Sequence, residues 1–369
     1  MKSFNQKLVK KSLKLDKWLR IILFFLETKR KPKKDKVNSI LIFEFHLLGD
    51  VVMLSSLLLE VRRHHPSAHI GLVAGPWARD ILTNHPGVYD SFYSIKAPWV
   101  SRNYGLKSLW RLAACIFDLR KISWDLGIET RGDLRQILML RLLKVQRRIG
   151  YAFTGGGWLL TDVVPDDGNP KHLVEHHLQI IRYMHPDFIK KRLTPKLWLS
   201  NREKIEIKDS SSRVGLHFGA SSSLRRLPES KSIELLHILL SKFDDPIFLF
   251  KTPEIHDLVL SVYNSLDSDL KSRVTICSAP LRQFCVEIAK CSLFVGMDSA
   301  GGHIAAALNV PVWSIFGPAM AVYCQPIGKN VKIISLEDKK VTCRPCDQSI
   351  CTHVEHHFCM KMIKFDVFI

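Results

Sequence analysis

The sequence predicts an α/β chain of two Rossmann-like parallel-sheet domains facing a cleft, preceded by a basic amphipathic helix. Three observations carry that prediction. From Ser39 onward, short apolar runs alternate with amphipathic stretches of helical period. The alternation stops in a polar stretch rich in Ser, Lys and Asp at 199–213, then starts again. The surplus of positive charge gathers at the N-terminus instead of spreading along the chain. Strands separated by helices of roughly 10 to 15 residues call for a parallel sheet with right-handed crossovers.

In the first domain, strands are expected at 40–45, 70–74, 126–129 and 148–152, with helices at 51–65, 106–121 and 133–144. In the second, strands are expected at 214–218, 247–250, 274–277, 293–295 and 312–316, with helices at 229–242, 254–265 and 281–290. With 199–213 as the linker, the chain divides into an arm at 1–37 and domains at 38–200 and 201–369. A length of 369 residues suits two domains, and 46% hydrophobic with 24% charged residues supplies two ordinary cores. Ligands in such sheets bind outside the carboxyl ends of the strands, so the loops that follow them hold the candidate site.

Residues 1–36 carry 13 basic and 3 acidic side chains, a net +10 of the total +19. Their apolar run, Trp18 to Leu26, has Lys10, Lys11, Lys14 and Lys17 before it and the Lys29 to Lys36 cluster after it. The run falls short of the ~20 residues a membrane span needs, and Arg20 interrupts it. No small-residue cleavage site follows, which argues against a signal peptide. A basic helix with aromatic residues on its apolar side suits the headgroup layer of an anionic membrane, and the plainer alternative is a helix packed on its own protein. No base-stacking or groove-reading motif accompanies the charge, so nucleic acid is not expected as a partner. The basic, unprocessed N-terminus points to a cytoplasmic chain, peripheral on the inner membrane.

Residues 296–318 read strand, small-residue turn, Ala-rich helix and second strand, with Asp298, Ser299 and Ala300 in the turn and His303 early in the helix. Unpaired N–H groups and partial positive charge at such a helix start hold phosphate. Earlier in the same domain, His217-Phe-Gly-Ala-Ser-Ser-Ser-Leu-Arg-Arg-Leu-Pro228 follows a strand. There Ser221 offers a hydroxyl, and Arg225 and Arg226 offer forks matched to phosphate oxygens. Glu254 follows the next strand, where an acid often holds ribose hydroxyls; it could equally be an acid favoured by a helix N-terminus.

In the first domain Gly49 allows a tight turn, and Asp50 sits at or beside a helix N-cap. A carboxylate there either caps the helix or takes a proton from an acceptor hydroxyl. Glu129, Arg131 and Asp133 follow another strand and could touch the acceptor or form a solvated loop. Cys343, Cys346, Cys351 and Cys359 cluster with His353, His356 and His357, a spacing that could close a zinc or iron site or form a reduced hairpin.

These segments together resemble glycosyltransferase family 9, the ADP-heptose:lipopolysaccharide heptosyltransferases. The resemblance covers about 40–362 through Gly49-Asp50, Arg147-Arg-Ile-Gly-Tyr151, His217 to Ser221 with Arg225 to Pro228, Asp298-Ser-x-x-x-His303, Phe316-Gly-Pro318 and the cysteine tail ending Cys359-Met360. It implies a GT-B enzyme, inverting and without a required metal, that moves a heptose or related sugar from an ADP-sugar to a lipopolysaccharide core. Asp50 matches the proposed base. Ser221 and Arg225 match donor-phosphate ligands, Glu254 a ribose ligand, and Asp298, Ser299, Ala300 and His303 the donor loop. Arg225 stands where the family usually has Lys, and Ala300 where it usually has Gly. The alternatives are a sugar-nucleotide epimerase or hydrolase of the same fold, which needs no acceptor, and a degenerate scaffold that binds nucleotide or metal.

Overall fold

Both halves of the chain build the same six-stranded parallel sheet. The computed structural model describes residues 6–22, 36–101, 105–169, 171–189, 192–337, 340–344, 346 and 350–365. The chain divides into two compact units between Leu193 and Thr194. The first holds β1 (Ser39–Glu44), β2 (His69–Ala74), β3 (Ser91–Ser94), β4 (Leu126–Glu129), β5 (Arg147–Gly150) and β6 (Asp162–Val163), in the order β3-β2-β1-β4-β5-β6. The second holds β7 (Val214–His217), β8 (Ile247–Phe250), β9 (Val274–Cys277), β10 (Leu293–Met297), β11 (Val312–Phe316) and β12 (Val331–Ser335), in the order β12-β11-β10-β7-β8-β9. Counted within its own unit, each sheet has the doubly wound order 3-2-1-4-5-6. Strand order reverses between β1 and β4 and again between β7 and β10, and side chains beyond those ends are placed for a ligand.

Helices on both faces explain why the central strands are apolar throughout; β1 is buried along its whole length. Leu41 and Phe43 turn to one face, where the Leu106–Leu119 and Leu134–Leu142 helices supply Leu112, Ile116, Met139 and Leu140. Alternation sends Ile40 and Ile42 to the other face, toward the Leu48–His64 helix. That helix is itself covered by the Leu173–Met184 helix, so Val51, Leu54, Leu58, Ser55, Ser56 and Glu60 are all buried.

Several expectations are corrected. The first helix begins at Leu48 instead of residue 51, so Gly49 lies in its first turn and makes no tight turn. The segment expected as a linker carries the Asn201–Lys208 helix, started by a capping box in which Ser200 and Glu203 satisfy each other's backbone N–H. The stretch expected as one helix at 254–265 opens as a 3-10 turn, Pro253–Ile255, before the His256–Asn264 helix.

In the arm, the Gln6–Ile22 helix packs on the first unit. Asp16 accepts hydrogen bonds from the Gly156 N–H and the Trp158 ring N–H, both at 2.8 Å, and Leu19 joins a cluster with Leu134, Ile137 and Leu159. Leu15, Trp18, Ile21 and Ile22 remain exposed. The rest of the apolar run and the basic cluster as far as residue 35 lie outside the described residues. Among the described residues no helix is long and apolar enough to cross a membrane.

Candidate active site

At the first switch point Asp50 serves two partners. As the third residue of its helix it accepts the Leu47 N–H at 3.0 Å through Oδ2, which is the capping role. Its other oxygen, Oδ1, meets Arg131 Nη1 at 3.2 Å, and both side chains are about four-fifths buried. Arg131 leaves β4 just beyond Glu129, whose carboxylate accepts the Arg131 and Gly132 N–H groups. Asp133 turns away: it caps the Leu134–Leu142 helix through the Arg135 N–H at 2.9 Å and pairs with the Arg135 guanidinium.

Beside this pair lie groups that the sequence reading did not single out. Glu44, the last residue of β1, is fully buried; it accepts the His46 N–H at 3.0 Å and the Thr130 hydroxyl at 3.0 Å, and meets His46 Nδ1 at 2.9 Å. Burial by itself raises this carboxyl, but His46 and Arg131 outweigh it and bring it down to about 2. Glu129 goes the other way, pushed up to about 8 by burial and then by Asp133, against the pull of its backbone N–H donors. His177, from the Leu173–Met184 helix, is buried with neither ring nitrogen hydrogen-bonded, and burial lowers it to about 3. Position at a strand end flags Glu44 and Thr130. Nothing flags His177, because its helix was not expected.

At the second switch point, Gly296 of β10 lies in register with His217 of β7, which brings the two loops predicted to hold the donor side by side. Arg225 Nη1 reaches Asp298 Oδ2 at 3.3 Å. Ser299 is the N-cap of the Ala300–Ala307 helix but does not cap it; its hydroxyl oxygen is buried and makes no hydrogen bond, and His303 is buried in the next turn. A side chain at Gly301 would put a Cβ 2.6 Å from the Phe294 ring, so glycine lets this helix start against that ring without displacing it. Ser221 is exposed at the lip of the β7 loop.

Arg226 is tied to backbone. Its guanidinium donates to the Ala220 carbonyl at 3.1 and 3.0 Å and to the Glu254 carbonyl at 2.9 Å, lacing the loops after β7 and β8 together. The Glu254 carboxylate is exposed and sits below its usual range, chiefly through its own backbone N–H and the Thr252 hydroxyl. His217, the last residue of β7, is buried with both ring nitrogens unbonded, and burial lowers it to about 4.

The cysteine tail braces this site. His357 Nε2 meets the Leu224 carbonyl at 2.9 Å, Arg344 Nε donates to the Gly317 carbonyl at 2.6 Å, and the Cys346 N–H donates to the Pro318 carbonyl at 3.3 Å. Cys343, Cys346, Cys351 and Cys359 line one pocket with His353 and His357, and all nine cysteines of the chain are free thiols. Among the described residues no three His, Cys, Asp or Glu side chains are gathered to hold a metal ion.

The family profile of glycosyltransferase family 9 (heptosyltransferase) matches residues 113–353. Lipooligosaccharide heptosyltransferase 2 of Campylobacter jejuni is 23% identical over 338 residues, covering 86% of this chain and 92% of that protein. The structure of E. coli ADP-heptose lipopolysaccharide heptosyltransferase II superposes with a TM-score of 0.67 at 22% identity, over 81% of this chain and 91% of that one. An E. coli heptosyltransferase solved with ADP gives a TM-score of 0.65 at 14% identity, over 80% and 92% of the two chains. These superpositions identify the fold as GT-B.

Proposed function

The chain belongs to glycosyltransferase family 9, and from that premise we propose that it moves a heptose, with inversion, from an ADP-sugar to a lipopolysaccharide core acceptor. The observation that carries the reading is the likeness of the two sheets: one switch point bears the Asp50–Arg131 pair, the other the Arg225–Asp298 pair beside a helix N-terminus. An acid held in a fixed orientation suits proton removal, and cations with backbone N–H groups suit a leaving diphosphate.

In this mechanism Asp50 takes the proton of the acceptor hydroxyl as that oxygen bonds to the anomeric carbon. The bond from that carbon to the diphosphate breaks on the opposite face, and its electron pair leaves with ADP. Arg225, the serine hydroxyls of the β7 loop and the N–H groups at the start of the Ala300–Ala307 helix receive the charge. Ser221, Asp298, Ser299, Ala300 and His303 line the donor, Glu254 reaches the ribose, and Arg226 holds the loop in place. A single displacement inverts the anomeric configuration.

We further propose that the enzyme works at the cytoplasmic face of the inner membrane, where a lipid-linked acceptor lies; the basic arm supports this. The test is a donor screen with the full chain, pairing ADP-, UDP- and GDP-sugars with lipid A core fragments and reading products by mass spectrometry. A heptose increment that requires both ADP-heptose and the core fragment is expected, with the opposite anomeric configuration by NMR. Sugar release that needs no acceptor, or transfer from the other nucleotides alone, overturns the reading.

A further inference from the structure

The Leu106–Leu119 helix is apolar on two opposite sides. Leu112, Cys115, Ile116 and Leu119 pack inward against a core that contains Trp124 and Leu140. On the far side Leu106, Trp110 and Phe117 are exposed by 81%, 75% and 68%, and Ala113, also exposed, completes the row. Steps of four, three and four residues keep the four side chains in one stripe along the helix. A helix on a protein surface ordinarily shows water its polar side, and an exposed apolar stripe of this kind marks a place where something docks.

The charges around the stripe indicate what docks there. On the helical wheel Lys107 and Arg111 border one edge; Arg120, at the helix end, donates through Nε to the Leu142 carbonyl at 3.0 Å, and Lys121 Nζ lies 5.4 Å from the Phe117 ring. Asp118, the one acid in the helix, is paired with Lys121 at 2.8 Å. Cations rimming a row of Leu, Trp and Phe match a surface that is anionic at the level of the headgroups and apolar just beneath. Trp is suited to that boundary, and Lys and Arg reach from it to phosphate.

The arm offers the same chemistry in the same helical layer. The Leu134–Leu142 helix contacts the Leu106–Leu119 helix through the Leu140 cluster and the Gln6–Ile22 helix through the Leu134 and Ile137 cluster. Trp18, Ile21 and Ile22 are exposed there among Lys14, Lys17 and Arg20. We propose that the Leu106–Leu119 helix is a second membrane-docking element, which seats Trp110 and Phe117 below the headgroups of an anionic bilayer and sets Lys107 and Arg111 on lipid phosphates. Its biological sense rests on the reading of a lipid-linked acceptor; the binding itself does not.

The experiment is flotation of the full chain with vesicles of phosphatidylethanolamine and phosphatidylglycerol, and in parallel with vesicles of phosphatidylcholine alone. Replacing Trp110→Ser together with Phe117→Ser is expected to weaken partitioning to the anionic vesicles by at least about tenfold. Lys107→Glu with Arg111→Glu is expected to abolish the preference for anionic over zwitterionic vesicles. All four side chains are on the surface, so the melting temperature and transfer to a water-soluble core fragment stay at wild-type values. Flotation of both double variants at the wild-type level overturns the proposal. So does a self-association in vesicle-free solution that Trp110→Ser with Phe117→Ser abolishes, which would make the stripe a contact between copies. A wild-type chain that floats through Trp110 and Phe117 but transfers no sugar to the soluble fragment would refute the assigned reaction and leave this surface standing.

Discussion

Arg225 and Asp298 meet at 3.3 Å across the loops that follow two neighbouring strands, one from β7 and one from β10. The arginine side chain is 23% exposed and the aspartate 5%, so the cation forms the outer member of the pair. An arriving diphosphate therefore finds a guanidinium already oriented and shares it with Asp298. Removing it with Arg225→Ala should weaken ADP binding by roughly 10- to 100-fold, the equivalent of about 1.5–3 kcal/mol for a charged hydrogen bond. Arg225→Lys should recover part of that loss, because charge is kept and the fork is not. Calorimetric titration of ADP checks both, and unchanged affinity in the alanine variant would remove Arg225 from the donor site.

Asp50 carries a structural and a chemical assignment on different oxygens, and these can be separated. Asp50→Asn keeps an oxygen for the Leu47 N–H, so the loss of stability should stay within about 1 kcal/mol. Transfer, which needs the carboxylate to take a proton, should fall by roughly 10²- to 10⁴-fold with ADP affinity unchanged. Arg131→Ala should lower kcat with a smaller change in KM, since it removes the group that orients Oδ1 at 3.2 Å. Steady-state kinetics with thermal melts test the pair; near-normal turnover by Asp50→Asn would exclude it as the base.

What was legible in the chain follows from burial. Internal strands such as β8 and β11 begin and end where their apolar runs do, because both faces are covered and nearly every side chain must be hydrophobic. The edge strands of the first sheet escaped: β3 is a half-exposed Ser-Phe-Tyr-Ser, and β6 is two residues long. The Asn201–Lys208 helix buries none of its residues and so offers no apolar stripe, although its Ser200-x-x-Glu203 start was readable. In the site, positions just beyond strands could be found, but partnerships could not. That Arg226 laces carbonyls while Arg225 meets an acid depends on loop geometry that two adjacent arginines do not encode.

The cysteine tail reaches the β7 loop through His357 Nε2, which meets the Leu224 carbonyl at 2.9 Å. The carbonyl only accepts, so the proton of the imidazole sits on Nε2 in this contact. Leu224 precedes Arg225, and fixing its carbonyl fixes where the guanidinium starts. His357→Ala should raise KM for the ADP-sugar by roughly 2- to 10-fold, the span of one neutral hydrogen bond, while kcat changes less. His357→Gln, which retains a donor, should fall between. Equal KM in all three chains would show that the tail does not position the loop.

Glu203 and Arg282 make a forked ion pair, both contacts at 2.7 Å, which joins the Asn201–Lys208 helix to the Leu281–Ala289 helix. The guanidinium, then the Ser200 N–H against the opposing effect of burial, brings the Glu203 carboxyl down from its ordinary 4.5 to about 2. A carboxyl lowered on folding binds fewer protons in the folded state than in the unfolded one between those two values. Its contribution to stability is therefore complete above about pH 4.5 and is lost as pH falls toward 2. Because the pair touches solvent, the contribution should be about 1–2 kcal/mol, less than the full shift implies. Urea denaturation of Glu203→Gln should show that deficit at pH 7 and a shrinking gap to wild type as the solution is acidified through this window. A gap that stays constant with pH would mean that the carboxylate charge adds nothing to the joint, which would then be held by packing and the Ser200 cap.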